Sequence, residues 1–259
     1  MRNGKKIKVL YLKVLRALYG ALELALLWYE LYSGVLEKMG FVLNPYDKCV
    51  ANKTINGSQC TIVFYVDNNK TSHQDPEVLT QVICEIEAYF GKLTVNRGKE
   101  HDYLGMNIVF KDKKVKVEMK KQIREAIQWY DKLDNAKPPT PAAKHLFMTN
   151  ENAEGLNASV SDKFHSVVAK LLYISKRARP DIEPTVAFLC TRVSCPDVDD
   201  WKKLGRLLSY LQNTINDKRI IGASSLDNLL TWVDATYAVY KNMRSQTGGA
   251  ISLGHGVVC

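Results

Sequence analysis

No aspartate or glutamate occurs in residues 1–17. That stretch therefore offers no carboxylate to a metal ion. Cysteine is present but not gathered. The six residues Cys49, Cys60, Cys84, Cys190, Cys195 and Cys259 form no CxxC pair, and no His/Cys set has zinc spacing. A structural zinc site is excluded on that spacing, and free thiols in a reducing compartment are expected. No segment reaches the roughly 18 uncharged apolar residues of a membrane span. The basic opening MRNGKKIKVLYLKVLRALYG has charges inside its apolar part, unlike a signal peptide. The expectation is a cytoplasmic or nuclear chain with no membrane partner. No internal repeat is visible. His73, His101, His145, His165 and His255 stand isolated, which suits surface or satisfied core histidines.

The 259 residues are 46% hydrophobic, so the chain is globular and long enough for one large or two small cores. Its formal charge is +9. A basic surplus favours polyanionic partners, above all nucleic acid. A merely basic soluble protein is the plain alternative.

Periodicity sets out the elements. Leu24, Leu27, Leu31 and Val35 recur at steps of three and four, predicting a helix over 17–39 with those residues buried, ended by Gly40. Phe41 to Val50 reads as a connection. Thr61–Val66 reads as a buried strand, and Asp67-Asn68-Asn69 supplies turn chemistry, so a hairpin is expected. Asp75-Pro76 opens a helix with Val78, Val82, Ile86 and Tyr89 on one face, closed by Gly91. Tyr103–Phe110 and Val115–Met119 flank Lys111–Lys114 as a second hairpin. Ile123, Ile127 and Tyr130 mark another helix, and 134–157 reads as a linker. Three helical patterns follow: one capped by Ser161, one started by Pro180-Asp181, and one carrying Trp201, Leu204, Leu208 and Leu211. Leu229–Asp234 and Gly249–Leu253 read as strands.

Ala17-Leu-Tyr-Gly20 and Trp28-Tyr29 resemble the ALYGLKQAPRAWY motif of copia-type retrotransposon reverse transcriptases. Tyr65-Val66-Asp67-Asn68 resembles that family's YVDD box, and His101–Met106 its following YFLGI strand. Pro139–Pro141, Phe164–Tyr173, Arg179-Pro180-Asp181-Ile182 and Trp201–Thr214 resemble later elements in the same order. Val233-Asp234-Ala235 and Arg244–Gly249 are similar to the start of its ribonuclease H domain. Each match alone is weak; shared order and spacing over nearly the whole chain carry the resemblance.

The resemblance implies an α+β fold: a partial reverse-transcriptase palm over 1–110, thumb and linker over 111–158, a helical connection over 159–222, and truncated ribonuclease H-like strands over 223–259. The implied activity is RNA-directed DNA synthesis with Mg²⁺, on RNA–DNA or DNA duplex, within a polyprotein. Polymerase chemistry needs two divalent metals held by carboxylates. Asp67 matches the hairpin carboxylate and metal ligand. Asn68 occupies the degenerate second position, and its neutral oxygen is a poorer magnesium ligand. The other essential aspartate of the family precedes the matched region, where residues 1–17 have none. Tyr65, Gly20 and Glu23 match positions near nucleotide and template; Glu23 replaces glutamine, and Ala25 and Leu26 replace proline and arginine. Asp234 matches the first ribonuclease H carboxylate, a remnant without its partners. Lys111, Lys113, Lys114, Lys116, Lys120, Lys121 and Arg124 match the thumb base and are candidates for duplex phosphate contact, although such a run also suits a solvated face.

The expected function is a polymerase fragment inactive by itself. Two alternatives stand beside it: a nucleic-acid-binding protein that keeps only the basic surface, and a polymerase subunit completed by another chain.

Overall fold

In the computed structural model, which describes residues 24–130, 133 and 136–258, helix α1 (Leu24–Lys38) buries an aromatic face instead of a leucine face. Tyr32, Val35 and Leu36 are buried, and Trp28 and Tyr29 pack beside them. Leu27 and Leu31, expected inside, are 53% and 56% exposed. The 3.6-residue period fits either stripe, and the larger aromatic rings decide which one turns inward. Gly40 follows the helix at φ +83°, and its N–H bonds the Glu37 carbonyl at 2.9 Å.

Contacts group the chain into two units divided between Val95 and Asn96. In the first, β1 (Val42–Leu43), β2 (Val50–Ile55), β3 (Ser58–Tyr65) and β4 (Asn68–Ser72) form an antiparallel sheet in that order. Strand β3 alternates, burying Cys60, Ile62 and Phe64. Helix α2 (Pro76–Phe90) follows. Asp75 accepts from Glu77 N–H at 2.9 Å and proline holds the first turn. Val78, Val82 and Ile86 are buried against α1 and the sheet's core residues, whereas Tyr89, expected on that face, is exposed.

The second unit begins with β5 (Glu100–Tyr103), β6 (Met106–Lys111) and β7 (Lys114–Glu118), and then α3 (Lys120–Gln128). Tyr103–Phe110 is therefore not one strand; Leu104-Gly105 turns at φ +48° and +75° and splits it. Helices α4 (Ala158–Arg177), α5 (Glu183–Cys190, entered through a 3₁₀ turn at Pro180–Ile182) and α6 (Val198–Asn213) come next. Asn157, not Ser161, caps α4, accepting from Val160 N–H at 3.0 Å. Asp197 and Asp200 form a reciprocal capping box on α6.

Strand β8 (Arg219–Ala223) then returns to pair with β7, and β11 (Gly254–His255) pairs with β8. The sheet order is β11-β8-β7-β6-β5. Val117 and Met119 share a core with Ile123, Phe164, Leu171, Val186 and Leu208, all buried. Each fully buried leucine or phenylalanine contributes about 1.5–3 kcal/mol by leaving water. The residues read as a linker take part too, because Leu146 is buried in this core and Phe147 packs on it. Strands β9 (Leu230–Thr236) and β10 (Gln246–Ser252) form a separate antiparallel pair.

This grouping differs from the expected domain limits. A boundary at 110 cuts β6, and one at 222/223 cuts β8. The run Arg-Ile-Ile-Gly-Ala is short and β-branched, so it adds to the β7 edge and ties 114–118 to 219–223. The architecture is α+β. No helix among the described residues is long and apolar enough to cross a membrane.

Candidate functional site

Strands β3 and β4 pair Tyr65 with Asn68, which leaves Val66-Asp67 as a two-residue turn. The turn thus sits earlier than Asp67-Asn68-Asn69; Asn68 and Asn69 already belong to β4. Val66 has φ +53°. A β-branched residue in the left-handed region costs on the order of 1–3 kcal/mol and persists only where its surroundings hold it there. Here they do, because Trp28 Nε1 donates to the Val66 carbonyl at 2.5 Å.

Trp28 is itself fixed in an aromatic cluster. Its ring stacks on Tyr32 at 5.7 Å and meets Phe90 at 5.3 Å, and Tyr32 meets Phe64 edge-on at 5.0 Å. Burial pushes the Tyr32 hydroxyl up to about 12. The two segments that the sequence singles out, Trp28-Tyr29 and Tyr65–Asn68, are therefore brought together by one indole. Tyr65 is 59% exposed beside the turn. Gly20 and Glu23 lie outside the described residues.

The carboxylate chemistry at this turn is sparse. Asp67 is exposed, and Asn68 Nδ2 donates to its Oδ1 at 3.4 Å. Among the described residues no group of three His, Cys, Asp or Glu side chains could hold a metal ion. The donor set around Asp67, one carboxylate and one amide, does not fit a magnesium pair.

The basic residues divide by position. Lys111 and Lys114 face each other across the β6–β7 hairpin, and Asp112 and Lys113 form its tip at φ +53° and +57°. Lys116 lies opposite Val109 and Ile220. Alternation puts Lys111, Lys114 and Lys116 on the sheet face opposite Val115 and Val117, which turn to the core. Among the described residues no ion pair engages Lys111, Lys113, Lys114 or Lys116. Lys120 differs, because it meets Glu118 at 3.5 Å while Lys218 holds the same carboxylate at 2.8 Å. Those ammonium groups, first of all the Lys218 hydrogen bond, hold Glu118 below its usual range. Lys121 and Arg124 are exposed on α3.

Asp234 lies on β9 opposite Gly248, exposed, with Oδ1 accepting from Ala235 N–H at 2.9 Å. It belongs to no group of three or more His, Cys, Asp or Glu side chains among the described residues. The whole of β9 is exposed, including Trp232 and Val233.

One polar centre was not anticipated. Arg179, 2% exposed, makes a bidentate pair with Asp181 at 2.9 and 2.7 Å and donates to the Thr214 carbonyl and hydroxyl at 3.0 and 2.8 Å. Tyr210 donates to Asp181 at 2.9 Å. Burial pushes the Asp181 carboxyl up, but the Arg179 hydrogen bonds and charge, with Tyr210, outweigh it and hold it below the usual carboxylate range. In the sequence Arg179 and Asp181 stand only as part of a motif. The missing clue was Thr214, 35 residues on.

No family model matches the sequence. No solved structure matches either. Several curated proteins are similar at low identity, three of them as follows. A putative transposon Ty5-1 protein of Saccharomyces cerevisiae is 23% identical over 246 residues, covering 91% of this chain and 76% of that protein. An uncharacterized mitochondrial protein of Arabidopsis thaliana is 25% identical over 198 residues, 76% of this chain and 80% of that protein. The retrovirus-related Pol polyprotein from transposon RE1 of Arabidopsis thaliana is 23% identical over 244 residues; 94% of this chain corresponds to 16% of that polyprotein. These similarities support an origin of the chain in a retrotransposon polyprotein.

Proposed function

We propose that this chain descends from the RNA-directed DNA polymerase region of a copia-type element and does not extend a primer by itself. The observation that carries the reading is the hairpin turn. It presents Asp67 at an exposed tip braced by Trp28, where the resembled family carries a metal ligand, but joins one carboxylate to one amide. Phosphoryl transfer through two metals needs more anionic oxygen than this pair offers. On this reading residues 24–95 are a partial palm, the sheet and α3 of the second unit are the thumb base, and β9–β10 begins a ribonuclease H-like fold.

The test is primer extension on an RNA template with magnesium or manganese. No product above background is expected from the chain or from Asn68→Asp. Extension that disappears in Asp67→Ala overturns the inactive reading and favours a subunit with working chemistry.

A second reading rests on a separate observation. Lys111, Lys114 and Lys116 share one open sheet face with Lys113 at its tip, and none is in an ion pair among the described residues. Such a face suits phosphate contact with an RNA–DNA or DNA duplex. Binding should fall steeply with salt. Replacing Lys111, Lys114 and Lys116 together by glutamine should lower the log–log salt slope by about 0.9 per lost phosphate contact. Equal slopes for the two proteins reject this face as the contact.

A further inference from the structure

A cavity of about 580 Å³ lies in the second unit between α6 and the segment 141–150. That volume falls within the usual range for small-molecule sites, about 300–1,000 Å³. Its walls are of two kinds. Ala143, Leu146 and Met148 supply an apolar side from the connecting segment, and α6 supplies Lys202, Lys203 and Arg206 with one carboxylate, Asp199.

The three cations are not equivalent. Lys202 is paired with Asp199 at 2.9 Å. Lys203 donates to the Met148 carbonyl at 2.6 Å, lies over the Phe188 ring at 4.4 Å and stands 4.0 Å from Asp200. Arg206 has no carboxylate opposite it among the described residues. It donates through Nη2 to the Thr140 hydroxyl at 3.2 Å, and its Nε is buried with no hydrogen-bond partner. The half-buried side chain thus keeps one donor out of water without an acceptor, and its one hydrogen bond is to a neutral hydroxyl, which leaves its charge unmatched. Arg206 also lines a smaller neighbouring cavity of about 250 Å³, as does Lys202. Arginine's planar donors match an oxyanion with two oxygens better than any other group available there.

We propose that this cavity binds a small amphipathic anion, whose apolar body lies against Ala143, Leu146 and Met148 and whose single carboxylate or comparable oxyanion head pairs with Arg206. The already paired Lys202 and Lys203 set the sign of the rim. Arg206 supplies the unmatched charge, so it decides whether the head is anionic or neutral. The site is independent of the hairpin turn and of the lysine sheet face, and stands whether or not either is functional.

The test uses the full chain and laurate, below its micelle concentration, in a calorimetric titration. Dodecanol, of equal chain length without the charge, is the control. One laurate per chain is expected, with dodecanol bound at least about tenfold more weakly, the equivalent of roughly 1.4 kcal/mol. Arg206→Gln should weaken laurate by a similar factor and leave dodecanol unchanged. Ala143→Trp, which fills the apolar side, should remove both and guards against a folding defect in the arginine variant; circular dichroism checks each protein. No laurate binding by the folded chain overturns the site. Unchanged laurate affinity in a folded Arg206→Gln protein overturns the role given to the arginine.

Discussion

The hairpin turn at Val66-Asp67 and the knot around Arg179 both fall on segments that resemble copia-type motifs, yet they are built in opposite ways. At the knot each nitrogen of the guanidinium donates to an acceptor, and the carboxylate of Asp181 accepts from two side chains. At the turn, among the described residues, the only side-chain hydrogen bond to the carboxylate of Asp67 is a weak contact from Asn68. The backbone there is the part that is supported, through Trp28. The difference separates two reasons for a motif. Arg179 and Asp181 hold the fold together. Asp67 is held out to solvent by the fold and gives nothing back to it.

Five substitutions can break or sharpen that contrast, followed by thermal or urea unfolding. Arg179→Met should have the largest effect, a loss of about 3 kcal/mol, because Asp181 and Thr214 lose a buried partner. Its pH dependence follows from the depressed Asp181 carboxyl. Stability from that pair is present above the unfolded value near 3.9 and is lost as pH falls through the lower folded value. Wild type should therefore lose stability on acidification below about pH 4, and Asp181→Asn should flatten that slope. A steeper acid loss in Asp181→Asn contradicts the pairing.

Trp28→Phe keeps a ring in the cluster and removes the donor to Val66, so a loss of about 1 kcal/mol is expected. Val66→Gly should act in the other direction. Release of the left-handed strain offsets glycine's entropy cost, leaving a gain of up to about 1 kcal/mol. Marked destabilisation by Val66→Gly would mean that the valine side chain matters more than its backbone. Asp67→Ala should be the smallest, within about 0.5 kcal/mol of wild type. A loss of several times that would assign Asp67 a structural task and erase the contrast with the knot.

Much of the element order was legible because it rests on local chemistry. Asp75-Pro76 opens α2 as capping rules require, and the β3 run is β-branched and aromatic. Pairings over long distances were not legible. Nothing near Ile220 says that its strand will join β7, more than 100 positions earlier in the chain. The rotation of α1 was hidden for a different reason. Leucine and aromatic stripes both satisfy helical spacing, and only packing against Phe64 and Phe90 chooses between them. At the site, Asp67 and Asn68 could be found by resemblance, but the turn's position depends on the Tyr65–Asn68 register. The lysines were legible as a run, and strand alternation then sets Lys111, Lys114 and Lys116 on a shared face, apart from the ion-paired Lys120. Arg206 had no sequence signal, because its isolation depends on which neighbours are already engaged.

Arg219 gives the second unit a property that its strand count does not suggest. Its guanidinium donates to the carbonyls of Lys176 and Arg177 at the end of α4 and to those of Val257 and Val258. Between them Gly256 turns at φ +73°, where a β-carbon would lie 1.7 Å from the Ile220 carbonyl oxygen. The edge strand β11 is only two residues long, and on its own it should open and close readily. Riveted through one arginine to a long helix, residues 254–258 should exchange their amide protons slowly, in step with α4 and far behind the bare ribbon of β9 and β10.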